Sequence, residues 1–407
     1  MSHPFGARIL QLCDELAQWS ETADGLTCTF LSEAHRAVAA RLGTLMRATG
    51  LAARIDPVGN VIGRYRSPVE GAKTVIVGSH YDTVINAGKY DGRLGIAVGL
   101  AVIEQLTRDK IELPFHLDLI AFSEEEGVRF SSAYLGSRAL VGKFDPDVLA
   151  AKDANGITLR EALMQSGHEP RDIPAAAMKP GDVAAYLEVH IEQGPVLIES
   201  DLPVGVVTSI AGNSRFSASV KGIAGHAGTV PMHARHDAAA AAAEIVLCVE
   251  SRCKRSNLVG TVGKLNVPDG AINVVPGRCD LSVDIRSGQD DIRHAAVKDI
   301  RADIDDIAER RKVRIDIAPL QDAAAVPCSP ALQDALAASI GRMGIPVFHL
   351  ASGAGHDAVM FDGFSPLAML FVRCGNGGIS HSPLETVAEA DADIAARVLL
   401  DTLQNLR

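Results

Sequence analysis

The sequence predicts an α/β protein: a mixed, mostly parallel sheet flanked by helices, interrupted by an inserted α+β domain with a four-stranded sheet of its own. Three observations carry this expectation. Apolar runs of strand length alternate with helical stretches through the first half of the chain. The length, 407 residues, exceeds what one hydrophobic core ordinarily organises. The hydrophobic pattern also changes character near residue 212 and reverts after residue 328.

Residues 33–49 have helical period and close at Gly50. KTVIVGS (73–79) is a continuous β-branched run, as a strand buried on both faces should be. LGIAVGLAVIEQLTR (94–108) returns to helical period, FHLDLIAF (115–122) is the next strand, and AAYLEVHI (184–191) is a further one that ends in the polar loop EQGP. Strand, helix and strand at this spacing imply parallel neighbours. SRFSASVKG (214–222) then alternates like a half-exposed strand, and DAAAAAAEIVLCVESR (237–252) is helical. NLVGTVGKLNV (257–267) and RCDLSVDIR (278–286) are strands joined by the turn-rich PDGAINVVPG; a charged helix (291–311) and the strand VRIDIAPL (313–320) follow. This β-α-β-β-α-β order is self-contained and suits four strands with two helices on one face. A helix (330–343), the strands IPVFHL (345–350) and LAMLFVR (367–373), and a terminal helix (388–405) resume the first pattern. The expected organisation is a catalytic domain from residues 1–211 and 328–407, interrupted by an inserted domain at 212–327.

Composition excludes several classes of partner. A net charge of −11 argues against nucleic acid and against an anionic membrane surface. With 4% aromatic residues there are few platforms on which bases could stack. No apolar stretch approaches the length of a membrane span, and the N-terminal MSHPFGARILQLCDELAQW carries Asp14 and Glu15 within its helical pattern instead of a signal-peptide apolar region. Seven scattered cysteines without CxxC spacing read as reduced core thiols, and the expected location is the cytoplasm.

The chemistry gathers at strand ends, where an open α/β sheet collects its functional groups. His80 follows KTVIVGS, Asp91 lies in a Gly-bounded turn before a helix, SEEEG (123–127) follows FHLDLIAF, His190 ends its strand, and His381 sits in the loop after LAMLFVR. A run of glutamates is ordinarily a solvated face, and adjacent carboxylates raise one another's pKa. Three histidines with an aspartate and a glutamate instead suit Zn²⁺, and also Mn²⁺, Co²⁺ or Ni²⁺. Five ligands exceed the needs of one tetrahedral ion and match two divalent ions bridged by one carboxylate. Asp82 is placed to accept the second N–H of His80. One glutamate of the run would bind metal while its neighbour acts as base.

The ordered motifs GSHYDTV, KYDGRLG, SEEEGVRF, VHIEQGP, GHAGT, INVVPG, DIR, SGAGHDA and GGISHSPLE resemble the hydantoinase/carbamoylase family of amidohydrolases. That family includes N-carbamoyl-L-amino acid hydrolases, β-ureidopropionases and allantoate amidohydrolases, and is related to aminoacylases and di-zinc exopeptidases. The resemblance implies a di-zinc exopeptidase-like fold with two metal ions per subunit, held by His80, Asp91, Glu126, His190 and His381, with Asp91 bridging. It implies Glu125 as general base and Glu124 as a bystander. His226 would stabilise the oxyanion from the other subunit of a homodimer formed through the inserted lid domain. Gln193, Asn273 and Arg286 would bind a small anionic ureido acid, either an N-carbamoyl-L-amino acid or allantoate. His356 and Asp357, in SGAGHDA, are expected as supporting or substrate contacts. The one departure is Ala87-Gly88, where relatives often have two glycines before the bridging Asp.

Overall fold

The structure is a computed structural model that describes residues 5–254 and 257–406; the first four residues of the N-terminal helical pattern lie outside it. Two compact units emerge. The first runs to Thr208 and resumes with Cys328–Leu350 and from Gly355 onward; the second comprises Ser209–Pro327 and Ala351–Ala354.

In chain order the strands are β1 (Ala52–Ile55), β2 (Val61–Tyr65), β3 (Thr74–His80), β4 (His116–Phe122), β5 (Val183–Ile191), β6 (Val204–Ile210), β7 (Gly212–Lys221), β8 (Gly225–His226), β9 (Val259–Asn266), β10 (Val274–Val275), β11 (Arg278–Ser287), β12 (Arg314–Ala323), β13 (Val326–Pro327), β14 (His349–Ser352) and β15 (Leu367–Val372). The large sheet has the order β1-β2-β4-β3-β5-β15-β6-β13, with β14 also on β6. Its centre, β4-β3-β5-β15, is parallel, and β2 and β6 flank that centre antiparallel. Every residue of β3 is buried, which accounts for its unbroken Val/Ile run. Helices Gly6–Leu16, Arg93–Asp109 and Glu389–Asn405 pack together, the middle one also on β3 and β5.

In-register pairing sets the carboxyl ends of the parallel strands side by side. His80 is opposite Phe122, and Phe371 opposite His190. The loops that leave these strands therefore open on one edge of the sheet, as the strand-end rule requires.

The second unit folds in the expected β-α-β-β-α-β order, its sheet antiparallel in the order β12-β7-β11-β9. Inward residues of β7 and β11 (Phe216, Ala218, Val220, Leu281, Val283, Ile285) meet Ile245 and Val249 of helix Ala238–Cys253 and Ile300 and Ile304 of helix Asp290–Arg311. The alternate positions carry polar pairs, with Ser219 donating to Asp280 and Arg215 to Asp284. Asp237 caps the first helix by accepting from the amides of Ala239 and Ala240.

One expectation shifts. The strand expected at 345–350 begins only at His349, because Pro346 has no N–H for a ladder and this stretch is largely exposed. The hairpin β1–β2 and the strand β6 were not among the expected elements, although VGVVTSI (204–210) is a β-branched run like that of β3. All seven cysteines are free thiols, six of them buried. Among the described residues, no helix is long and apolar enough to cross a membrane.

Candidate metal centre

His80 is the last residue of β3, and its ring is directed by contacts at Nδ1, 3.1 Å from the Asp82 carbonyl and 3.4 Å from the Asp82 carboxylate. His190, near the end of β5, donates from Nδ1 to the carbonyl of Ile191 at 2.9 Å. Each ring thus turns its Nε2 into the site, the arrangement in which an outer hydrogen bond fixes the ligating tautomer. Asp91 is reached through a turn completed by Gly92 at φ +65°; a Cβ there would stand 2.5 Å from Cδ2 and Nε2 of His80, so glycine clears the space in which the two side chains meet.

The inward atoms form two trios that share Asp91. In the first, His190 Nε2 lies 3.3 Å and His80 Nε2 3.7 Å from Asp91 Oδ1, and the two nitrogens are 3.5 Å apart. In the second, His381 Nε2 lies 3.2 Å from Asp91 Oδ2 and 3.7 Å from Glu126 Oε1. Two ligands of one tetrahedral Zn²⁺, each about 2.0–2.1 Å from it, stand about 3.3 Å apart, which is the spacing seen. Asp91 Oδ2 is buried and accepts no hydrogen bond, although His381 Nε2 is close by. The donor set and this orphaned oxygen fit a pair of divalent cations.

Electrostatics point the same way. Asp82, Asp91, Glu124, Glu125 and Glu126 crowd one region, and none forms an ion pair with Lys or Arg among the described residues. Burial holds the Glu125 carboxyl well above its ordinary range and pushes Glu126 up to about 8. Burial also pulls His190 down to about 4, the neutral form a metal requires, whereas for His80 burial is outweighed by the Asp82 and Asp91 carboxylates, which hold it well above its ordinary value. For Asp91, burial works upward, but the hydrogen bond with His80 and the neighbouring His190 hold it below the carboxylate range. Carboxylates buried without a cation are costly.

The solvated-loop reading of SEEEG does not hold. Glu124 and Glu125 are only 1% and 7% exposed, and one oxygen of Glu124 is buried without a hydrogen bond. The loop is folded inward by Asp82, whose carboxylate accepts from the amides of Glu125 at 3.1 Å and Glu126 at 3.1 Å. Asp82 therefore orients the glutamate run as well as His80, whose ring stands nearer its carbonyl than its carboxylate.

Gln193 reaches the centre, its Nε2 donating to Asp91 Oδ1 at 3.2 Å and to Ser380 Oγ at 3.4 Å. His356 is buried edge-on to His190, with ring centroids 4.5 Å apart, and burial draws its pKa well down. Asp357 is buried and accepts from Ser137 Oγ. The other expected site residues belong to the second unit. His226 and Asn273 meet on the β8–β10 ribbon, where the Ala227 amide donates to the Asn273 carbonyl at 2.9 Å, and His226 is exposed. Arg286 pairs with Asp284 at 3.0 Å and donates to the Gly353 carbonyl at 2.8 Å.

Glu188 and Glu385, two buried carboxylates beside the centre, escaped sequence reasoning. Glu188 accepts from Tyr186 Oη at 2.8 Å, Ser79 Oγ at 3.4 Å and the Ala358 amide at 3.3 Å. Its signal was the period of two in LEVHIE, which puts it on the face of His190. Glu385 joins two loops of the centre and lay in plain view at the end of SHSPLE.

The profile of peptidase family M20/M25/M40 matches residues 76–405. An N-carbamoyl-L-amino acid amidohydrolase of Geobacillus stearothermophilus is 39% identical over 403 residues, covering 98% of each chain. An allantoate deiminase of Arabidopsis thaliana is 38% identical over 423 residues, covering 96% of this chain and 80% of the plant protein. Among solved structures, a hydantoinase/carbamoylase family amidase of Burkholderia multivorans superposes with a TM-score of 0.92 at 30% identity, covering 98% of this chain and 97% of that one.

Proposed function

The chain belongs to peptidase family M20/M25/M40, and on that premise we propose that it is a metal-dependent amidohydrolase that cleaves a C–N bond of an N-carbamoyl (ureido) acid. The observation that carries the reading is the pair of ligand trios sharing Asp91, with Glu125 beside them. Its favoured substrate is an N-carbamoyl-L-amino acid, released as the amino acid, CO₂ and ammonia. Allantoate is the second reading, supported by the similarity to the Arabidopsis deiminase.

His80, Asp91 and His190 would hold one divalent ion, and Asp91, Glu126 and His381 the other; Zn²⁺ suits the donors best. When bound, such ions supply Lewis acidity toward the ureido carbonyl and acidify water. The chain does the rest. Glu125, whose buried carboxylate has a raised proton affinity, takes a proton from the attacking water and delivers it to the leaving nitrogen as the C–N bond breaks. Asp82 keeps Glu125 and Glu126 in register by holding both amides. Arg286 and Asn273 are assigned to the substrate carboxylate, a planar anion that a guanidinium fork grips bidentately. Arg286 must exchange part of its contact with Asp284 to do so. Gln193 is assigned to orient the substrate, and His226 of the partner subunit in a homodimer to meet the developing oxyanion.

Ammonia release tests this. Metal-stripped and Zn²⁺- or Mn²⁺-reconstituted protein is offered N-carbamoyl-L- and D-amino acids, β-ureidopropionate and allantoate, and N-acetyl amino acids are scored by released amine. Metal-dependent turnover of a ureido acid is expected. Turnover of acetyl or peptide amides alone would replace the reading with a deacylase.

A further inference from the structure

We propose that Glu385 is a positioning residue, the tether that holds the loop carrying His381 to the turn carrying Asp91. The two loops are almost 300 residues apart in sequence, and their ligands form the second trio. Glu385 is 3% exposed. Its Oε1 accepts from the amides of Tyr90 at 2.8 Å and Asp91 at 3.1 Å, and its Oε2 accepts from Ser380 Oγ at 2.7 Å. Ser380 Oγ in turn accepts from Gln193 Nε2, which also donates to Asp91 Oδ1. The bonds close a ring, from the Asp91 amide through Glu385, Ser380 and Gln193 to the Asp91 carboxylate. Three loops, those after β5 and β15 and the turn before helix Arg93–Asp109, are fastened to the one side chain that both trios share.

Two further observations single out Glu385. His381 is 48% exposed, whereas His80 and His190 are buried at the ends of strands, so the second trio depends on its loop being held. Gly88 also leaves the space that Glu385 occupies: a Cβ there would stand 2.5 Å from Cβ and Cδ of Glu385. That clearance explains why glycine is needed at 88 while alanine serves at 87. A carboxylate is the acceptor required, since three donors converge on it and bonds to a charged acceptor are the stronger ones.

The inference rests on the metal reading for its consequence but not for its geometry, and the test separates the two. In metal-free protein, hydrogen exchange in the peptide spanning Tyr90 and Asp91 is followed in wild type, Glu385→Ala, Glu385→Gln and Gly88→Ala. Loss of the tether should speed exchange at those amides by about tenfold to a hundredfold in Glu385→Ala. Gly88→Ala, which displaces the same side chain, should behave alike, and Glu385→Gln, which keeps one acceptor oxygen, should lie between. Titration with Zn²⁺ alone then reads the consequence. One of the two ions should bind about 10–100-fold more weakly in Glu385→Ala, as when an outer-shell partner is removed, and the other should change less. Unchanged exchange in both Glu385→Ala and Gly88→Ala would overturn the proposal, as would equal weakening of both ions. If wild type takes up no Zn²⁺, the metal reading falls, and the exchange data still decide the tether.

Discussion

Replacing His35 by glutamine should remove a pH dependence of stability whose size follows from the structure. His35 lies in the first turn of helix Glu33–Ala48, is buried, and stacks on Tyr81 with ring centroids 4.4 Å apart. Its Nε2 donates to the carbonyl of Ser123 at 2.6 Å, so it braces both the residue after His80 and the first residue of SEEEG. Burial pulls its pKa down to about 4, outweighing the hydrogen bond to Ser123, from an ordinary 6.5. Above pH 6.5 the ring is neutral folded and unfolded. As pH falls below 6.5, the unfolded chain binds a proton that the folded chain refuses until about pH 4. Stability is therefore lost across that window and levels off beneath it. At about 1.4 kcal/mol per pKa unit, the loss is about 2 kcal/mol by pH 5 and about 3 kcal/mol in full. Glutamine keeps an N–H for Ser123 and does not titrate. Urea unfolding of metal-free wild type and His35→Gln at pH 7 and pH 5 reads the double difference, in which other titrating groups cancel. Wild type should lose about 2 kcal/mol more than the variant on going from pH 7 to pH 5. A gap between the proteins that is the same at both pH values would refute the burial argument.

Three other outcomes are expected. Glu125→Gln should lower turnover by about 10²–10⁴-fold with metal content unchanged, and an active variant would remove Glu125 as the base. Arg286→Ala should raise KM for a ureido acid by about 10–100-fold at nearly constant kcat, the loss of a charged hydrogen-bond pair; unchanged kinetics would take Arg286 out of the site. Gly92→Ala places a side chain at φ +65°, ψ −50°, a sparsely populated region that costs about 1–3 kcal/mol in backbone strain, and also pushes against His80; a variant with wild-type Tm and wild-type Zn²⁺ affinity would show that the clearance at Gly92 is not needed.

Much of the architecture was legible because strands buried on both faces announce themselves. β3 and β15 are nearly unbroken apolar runs, β4 and β5 are apolar runs interrupted by Asp118 and Glu188, and residues at or beyond their ends are the ones the structure gathers round Asp91. The inserted unit was equally plain, since β7 and β11 alternate with period two and their helices are long. The edges were not. Ala52–Ile55 is a four-residue, mostly exposed strand at the margin, where pairing and not composition defines the element; Val204–Ile210 is a buried, β-branched run of seven residues whose composition does mark a strand. Within the site, sequence spacing could bring His and Asp to strand ends but could not say which way a loop turns. SEEEG looks like a solvated run until Asp82, more than forty residues earlier, is seen to hold its amides. Glu385 was missed for the same reason: its partners are amides of a distant turn, and a backbone donor leaves no mark in composition.

The in-register parallel centre has a consequence for how the chain finds its fold. Side chains alternate across a strand, so a slip of one residue between β3 and β4, or between β5 and β15, would carry His80 or His190 to the opposite face. The apolar positions of these strands discriminate weakly against such a slip, since Val, Ile and Leu are acceptable on either side of a sheet covered on both, which leaves Asp118 of β4 and Glu188 of β5 to oppose it from within. A cation that both histidines and Asp91 must reach together can be bound in one alignment only, and its binding free energy is added to that alignment alone. The centre would then act as a proofreader of strand pairing, and protein refolded without divalent ions should carry a larger fraction of misaligned chains than protein refolded with them.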